Sequence, residues 1–322
     1  MLLNILAVVA GFAILIWGAN RFVVGASATA RNLGVPPLII GLTVVGFGTS
    51  APEMLVSGLA AWNGNPGISV GNALGSNIAN IGLVIGATAL VAPISVHSNT
   101  LRREFPLLFV FMMLGLLLLI DGYLSLWDGV ILITGMFVML YWITRIALRS
   151  RTTDPMQKEF AEEIPLHMPM WKAGLWLLLG LALLLVGSRL VVYGAVEIAH
   201  WLGISDLIIG LTVIAIGTSL PELAASIMCI LKKEDDIAVG NVVGSNMFNL
   251  LGVMGIPGLI MPFQVPAEAL SRDFVVMFGL TIALFAMSFG LGGNHGRITR
   301  LKGTALLVSF LAYMLYLALY SA

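Results

Sequence analysis

The stretch GLTVVGFGTSAPE at residues 41–53 recurs almost unchanged as GLTVIAIGTSLPE at residues 210–222. Both copies run from apolar residues into Gly, Thr, Ser, Pro and a glutamate. The copies lie 169 residues apart, and the same offset aligns GNALGSNIAN (71–80) with GNVVGSNMFN (240–249). Of the 40 positions from 41 to 80, 18 are identical to their partners at this offset. A register kept across two motifs indicates an internal duplication.

The composition around these motifs is typical of a membrane protein. The chain has 322 residues, of which 59% are hydrophobic and 10% charged, and its mean hydropathy is +1.02. Soluble domains usually carry about 25% charged residues. Several apolar runs reach the roughly 17–25 residues that span a bilayer. Ten segments are predicted, near 2–30, 36–62, 69–92, 104–121, 127–147, 171–199, 205–231, 237–261, 270–291 and 302–320.

The sequence gives no indication of a nucleic-acid-binding protein, a disulfide-bonded protein or a cleaved signal peptide. The net charge is zero, which gives no indication of a nucleic-acid partner. The single cysteine, Cys229, cannot form an intramolecular disulfide. The N-terminal segment has no basic region, so it is predicted to be the first span rather than a cleaved signal.

One clearly polar stretch, 149–170, divides the ten segments into two sets of five. It is predicted to link a first five-helix repeat, residues 1–148, to a second, residues 171–322. Five is an odd number of spans, so the second repeat enters the membrane from the opposite side. Such inverted-topology repeats are typical of secondary transporters, whose substrate site lies near the midplane where the repeats meet.

The basic residues test this arrangement. With ten spans, the connections that follow odd-numbered spans share one side, and they hold 13 of the 16 Lys and Arg residues. The loops of the other side hold only Arg272, and Arg21 and Arg189 fall inside spans. By the positive-inside rule the basic side is cytoplasmic. The linker is therefore expected in the cytoplasm and both termini outside.

The repeated motif places Glu53 and Glu222 in the middle of apolar spans. A charged side chain there costs about 2.5–3.5 kcal/mol on insertion scales, so each glutamate needs a compensating partner. The adjacent Pro52 and Pro221 have no N–H group, which deprives carbonyls one turn earlier of their helical partner. A bound cation can satisfy such carbonyls inside a membrane. Spans 2 and 7 are therefore predicted to be broken helices, with freed carbonyls at 46–48 and 215–217.

Polar side chains repeat around each glutamate at helical spacing. Hydroxyl groups three and four residues earlier share the face of the carboxylate. These hydroxyls belong to Thr49, Ser50, Thr218 and Ser219. The following span carries a polar stripe spaced by four, formed by Asn72, Ser76 and Asn80 in one repeat and by Asn241, Ser245 and Asn249 in the other. Glycine ridges at Gly71, Gly75, Gly240 and Gly244 favour close helix packing, which would bring the motifs together.

All of these groups offer oxygen. Hard oxygen donors suit Ca²⁺, which takes about six to eight of them, and they suit Na⁺ by the same argument. Metals that seek thiolate or imidazole are poorly served. The charge of two carboxylates, −2, is neutralised by one Ca²⁺ and is brought to 0 or +1 by two or three Na⁺. Both sets of ions together would leave a large surplus of positive charge at low dielectric. The ions are therefore expected to compete, which indicates an exchanger.

At these motifs the sequence resembles the calcium/cation antiporter superfamily, and within it the sodium/calcium exchangers of the prokaryotic type. The resemblance covers essentially the whole chain. It implies exchange of Na⁺ for Ca²⁺ by alternating access, with spans 1 and 6 sliding against the other eight. The ligands that it implies are Glu53, Glu222, Thr49, Ser50, Thr218, Ser219, Ser76, Ser245, Asn80, Asn249 and the carbonyls of Gly46 and Ala215. Some prokaryotic exchangers have Asp where this chain has Asn249, so this chain lacks a titratable group at that position.

Several alternatives stay open. The same site can couple Ca²⁺ or another cation to H⁺, or form a passive channel. An intramembrane hydrolase would use the glutamates as acid and base, but the chain lacks the motifs of such enzymes. Asn72 and Asn241 can simply bond neighbouring helices. No enzyme activity and no cofactor are expected. The expected location is a prokaryotic inner membrane, and the oligomeric state is open, a monomer being compatible with the sequence.

Overall fold

The computed structural model describes residues 2–96, 101–150, 168–202, 215–288 and 296–320. Most of the predicted linker, residues 151–167, and the start of the seventh segment lie outside these ranges. Ten mostly helical segments run through the described residues. They are α1 (Leu2–Leu33), α2 (Pro37–Trp62), α3 (Gly67–Val91), α4 (Leu101–Leu119), α5 (Leu126–Ser150), α6 (Met170–Trp201), α7a (Ala215–Thr218) with α7b (Leu220–Leu231), α8 (Asp235–Ile260), α9 (Ala269–Ser288) and α10 (Arg300–Tyr320).

The lengths of these helices fit a bilayer. Eight helices in the described part of the chain are long and apolar enough to cross a membrane. The other two apolar helices are shorter, Glu104–Leu119 within α4 and Leu220–Leu231, which is α7b. The prediction of an all-helical polytopic membrane protein is confirmed. Where both ends of a predicted segment are described, they agree with the helix ends to within a few residues.

The helices form a buried centre and a lipid-facing rim. The apolar window of α8 is 100% buried, and those of α3 and α2 are 72% and 61% buried. The corresponding windows of α1, α6 and α10 are only 17–28% buried. Helices α1 and α6 pack against each other along their length, with Gly18 against Leu183 and Gly187 against Leu15. The helices that carry the repeated motifs therefore form the core.

Short antiparallel ribbons join loops of the two repeats. Strand β1 (Ile94–Val96) pairs with β4 (Gly296–Ile298), and β2 (Tyr123–Leu124) pairs with β3 (Phe263–Gln264). The offset of 169 residues carries Ile94 onto Phe263, so the duplicated strand belongs to a different ribbon in each repeat. One ribbon joins the loops after α3 and α9, and the other joins the loops after α4 and α8. This pairing is what inverted repeats produce.

The irregularity predicted for spans 2 and 7 takes two forms. Helix α2 has a π-helical segment at Gly41–Val45 and then continues as an α-helix with Pro52 inside it. Span 7 is interrupted at Ser219, which separates α7a from α7b and has φ −90° and ψ 3°. Two further π-helical segments begin at equivalent positions, Asn80 in α3 and Asn249 in α8. Such segments are frequent at functional sites.

Candidate functional site

Glycines allow α2 and α8 to cross at the centre of the molecule. A Cβ placed on Gly240 would lie 2.7 Å from the carbonyl oxygen of Leu38 and 3.1 Å from Cα of Gly41. Gly244 packs against the backbone of Leu42. The predicted glycine ridge of α8 is therefore a close helix contact.

The equivalent glycine ridge of α3 makes no such close contact with the described residues. No atom of the described residues lies within 4 Å of a Cβ built on Gly71 or Gly75. The counterparts of the α2 residues that meet α8 are 207–211, which lie outside the described part of the chain.

Thr49 lies at the crossing and joins the two repeats. Its Oγ1 donates to Oδ1 of Asn241 at 3.1 Å and lies 3.2 Å from Oγ of Ser245. Oγ of Ser245 in turn donates to the carbonyl oxygen of Gly46 at 3.4 Å. All four residues are buried. Three of the predicted ligands, Thr49, Ser245 and Gly46, thus come together across the repeat boundary.

Asn72 and Asn241 bond each motif helix to the next helix of the same repeat. Nδ2 of Asn72 donates to the main-chain oxygen of Glu53 and to Oγ of Ser57, both at 3.2 Å. Asn241 makes the equivalent bonds in the second repeat. Its Nδ2 lies 3.5 Å from the main-chain oxygen of Glu222 and 3.2 Å from Oγ of Ser226. These contacts match the helix-bonding interpretation of the two asparagines.

The two asparagines are expected to differ in their contribution to stability. Asn241 is fully buried and joins α2, α7b and α8, whereas Asn72 is half-buried and its Nδ2 bonds only to α2. We expect Asn241→Ala to cost about 1–3 kcal/mol of stability and Asn72→Ala about 1 kcal/mol or less. Thermal unfolding in detergent measures both. Equal unfolding midpoints for the two variants would contradict this assignment.

The side-chain oxygens of both glutamates are buried at the centre. Glu53 and Glu222 are 2% and 1% exposed. Oε2 of Glu53 and both carboxyl oxygens of Glu222 have no hydrogen-bond partner among the described residues. The buried side-chain oxygens of Ser50, Ser219, Asn80 and Asn249 also lack one. Seven of the ten such buried polar atoms in the described ranges therefore belong to predicted ligands.

The predicted ligands Asn80 and Asn249 bond to two asparagines that the sequence analysis did not select. Nδ2 of Asn80 donates to Oδ1 of Asn246, and Nδ2 of Asn249 donates to Oδ1 of Asn77, both at 3.1 Å. Asn77 and Asn246 follow the serine of each Gly-Ser-Asn motif and are themselves related by the 169-residue offset. That duplication was the signal that could have found them, as it could have found Ser57 and Ser226.

The remaining predicted ligands make fewer described contacts. Ser76 is buried, and its Oγ lies 3.5 Å from Oδ1 of Asn72. Thr218 is half-buried at the end of α7a, and Ala215 begins that segment. The carbonyl of Gly217, which Pro221 deprives of its helical partner, accepts a 2.7 Å hydrogen bond from Oγ of Ser188 on α6. At least one freed carbonyl is thus satisfied within the protein.

Comparison with known proteins agrees with this architecture. The sequence model of a family described as sodium/calcium exchanger protein matches residues 3–145 and 172–319. The chain is 51% identical to CaxA of Alkalimonas amylolytica over 313 residues, which cover 97% of this chain and 98% of CaxA. It is 40% identical to the inner membrane protein YrbG of Escherichia coli, with 99% of this chain and 98% of YrbG covered.

The fold agrees with that of a solved exchanger. Structures of the sodium-calcium exchanger NCX_Mj superpose with a TM-score of 0.83 at 32% identity, covering 98% of this chain and 99% of NCX_Mj. At this identity and coverage the likeness extends to the family as well as to the fold. The chain therefore belongs to the sodium/calcium exchanger family, and it is a membrane-embedded cation antiporter rather than an enzyme.

Proposed function

We propose that this protein exchanges Na⁺ for Ca²⁺ across the membrane by alternating access, with both ions competing for one central site. The observation that carries the proposal is the set of buried, unbonded oxygens on Glu53, Glu222, Ser50, Ser219, Asn80 and Asn249. A buried polar group without a hydrogen bond is costly, so these oxygens need another partner. Cations provide one for all of them at once.

The donor set supports hard cations. It contains carboxylate, hydroxyl and amide oxygens, which are the ligands that Ca²⁺ prefers. Asn80 and Asn249 are neutral, so Glu53 and Glu222 are the ionisable members of the proposed set and give it a charge of −2. One Ca²⁺ neutralises this charge, and so do two Na⁺. Simultaneous occupancy by both sets would place uncompensated positive charge in a buried site.

The ligand set that we propose is the one predicted from the sequence. Glu53, Glu222 and the neighbouring hydroxyls and amides supply side-chain oxygens, and the carbonyls of Gly46 and Ala215 complete it. Relatives support the choice of ions. Structures of NCX_Mj are described as soaked with Na⁺ and Ca²⁺ or with Na⁺ and Sr²⁺. A protein of Methanosarcina acetivorans that is 30% identical over 98% of this chain is named sodium/calcium exchanger MaX1.

We also propose the arrangement of the chain in the membrane. Residues 1–148 and 171–322 form two five-helix repeats of opposite orientation, joined by a cytoplasmic linker at 149–170. The concentration of basic residues in the loops of one side supports a location outside for both termini. The similarity to YrbG, an inner membrane protein, supports a location in a prokaryotic inner membrane. One chain contains both walls of the site, so a monomer is sufficient for transport.

A flux assay with separate gradients tests the exchange. Purified protein in liposomes is loaded with Na⁺, and uptake of radiolabelled Ca²⁺ is measured after dilution into Na⁺-free buffer. We expect uptake that depends on the Na⁺ gradient and saturates with Ca²⁺. An imposed pH gradient without Na⁺ should drive little uptake. Uptake that follows the pH gradient and ignores Na⁺ would instead identify a Ca²⁺/H⁺ antiporter, and uptake that needs no counter-ion would identify a channel.

A further inference from the structure

Two hydrogen bonds between asparagine side chains join α3 to α8 beside the proposed ion site. One runs from Asn80 to Asn246 and the other from Asn249 to Asn77. The 169-residue offset converts each bond into the other, so the pair follows the symmetry of the duplication. All four side chains are 1% exposed. Water is therefore not available to compete for these amide groups.

The orientation of one amide is determined by the main chain. Nδ2 of Asn77 donates to the main-chain oxygen of Asn246 at 3.3 Å and lies 3.3 Å from Sδ of Met277. Its Oδ1 must therefore face the other way, where it accepts from Nδ2 of Asn249. Turning the Asn249 amide over would bring two oxygens together and lose this bond. The nitrogen of Asn249 is thus held away, and its oxygen is left buried and without a partner.

The side-chain bond and the unbonded oxygen have counterparts at the related positions. Oδ1 of Asn246 accepts from Nδ2 of Asn80, and Oδ1 of Asn80 is buried without a partner. The two terminal groups of an asparagine amide have opposite effects on a cation, because the oxygen coordinates the ion and the NH₂ group repels it. Both ligand amides therefore need to be held in one of their two orientations.

We propose that Asn77 and Asn246 are positioning residues for the ion site, a role that rests on the proposed function. Each holds the amide nitrogen of an asparagine in the other repeat, so that the oxygen of that asparagine faces the ions. Neither residue touches the ion itself. Because each acts on a residue of the other repeat, the two repeats depend on each other for a correctly oriented ligand.

Paired alanine substitutions test this role through its partner specificity. We expect Asn77→Ala to raise the Ca²⁺ concentration for half-maximal binding about 10–100-fold, which is the usual effect of residues that orient metal ligands. In protein that already carries Asn249→Ala, the same substitution should have little further effect. In protein that carries Asn80→Ala, its effect should multiply. Equilibrium binding of radiolabelled Ca²⁺ to purified protein in detergent gives these values without requiring transport.

The opposite pair provides an independent repeat of the test. Asn246→Ala should not weaken Ca²⁺ binding further in protein that carries Asn80→Ala, but it should do so in protein that carries Asn249→Ala. This second set of variants tests the proposal even if Asn77→Ala does not fold. A purely structural role predicts that each substitution lowers the unfolding temperature and the affinity equally in both backgrounds, which would overturn the proposal. If Asn80→Ala and Asn249→Ala themselves leave Ca²⁺ binding unchanged, the ligand assignment within the proposed function fails first.

Discussion

Replacing Glu53 or Glu222 by glutamine is expected to abolish Na⁺-driven Ca²⁺ uptake, with initial rates at least about 100-fold below those of the native protein. Glutamine keeps the size of the side chain and one oxygen, so the change is mainly one of charge. The substituted site carries −1 instead of −2, and Ca²⁺ bound there would leave an uncompensated charge in a fully buried position. We expect each substitution to abolish Ca²⁺ binding as well as uptake.

The matched control is Glu268→Gln, the same change at an exposed glutamate between α8 and α9. It should leave uptake close to the native rate, because a solvated charge at the surface interacts weakly with a buried site. Thermal unfolding shows whether the Glu53 and Glu222 variants are folded. A folded variant of either residue that takes up Ca²⁺ at the native rate would remove that glutamate from the site.

The packing of α2 on α8 leads to the second large effect, which we expect from Gly240→Ala. The added Cβ would lie 2.7 Å from the Leu38 carbonyl oxygen, and that oxygen belongs to the main chain and cannot turn away. The two helices must separate, at a cost of about 1–3 kcal/mol. Separation also stretches the hydrogen bond from Thr49 to Asn241, which spans the same crossing. The unfolding temperature and the affinity for Ca²⁺ should both fall.

Gly279→Ala is the control for this substitution. Gly279 lies on α9, is exposed, and has no described atom within 4 Å of the built Cβ. Adding a methyl group there should be neutral or slightly stabilising, because alanine is the better helix former. If Gly240→Ala unfolds and binds Ca²⁺ in the same way as Gly279→Ala, the close crossing of α2 and α8 is not required for the site.

The fold was largely predictable because the sequence contains an internal duplication, in which the same motifs occur twice. The duplicated motifs fixed the offset of 169 residues, and an odd number of spans per repeat then required opposite orientations. The form of the helix irregularities was not predictable in the same way. Pro52 and Pro221 occupy equivalent positions, yet α2 continues through Pro52 whereas span 7 is interrupted at Ser219. The motif residues Gly-Thr-Ser-x-Pro-Glu are the same in both, so they do not by themselves decide between the two outcomes.

The candidate site was predicted to the extent that its residues stand out chemically. Glu53 and Glu222 were found because a buried charge is rare and costly, and the hydroxyls beside them because they share a helix face. Asn77 and Asn246 were missed, since a stripe spaced by four passes over them. Their significance depends on how α3 and α8 cross, which places each opposite an asparagine of the other repeat. No spacing rule within one helix contains that information.

The bond from Ser188 to the carbonyl of Gly217 has no counterpart in the first repeat, because the position equivalent to Ser188 is Ala19, which has no hydroxyl. In the alternating access that we propose, two identical halves related by a two-fold axis in the membrane plane would give the inward-open and outward-open forms equal free energies. A bond that is present in only one half contributes to a difference between these free energies. We therefore expect the two forms of this protein to differ in free energy before any ion gradient acts on it.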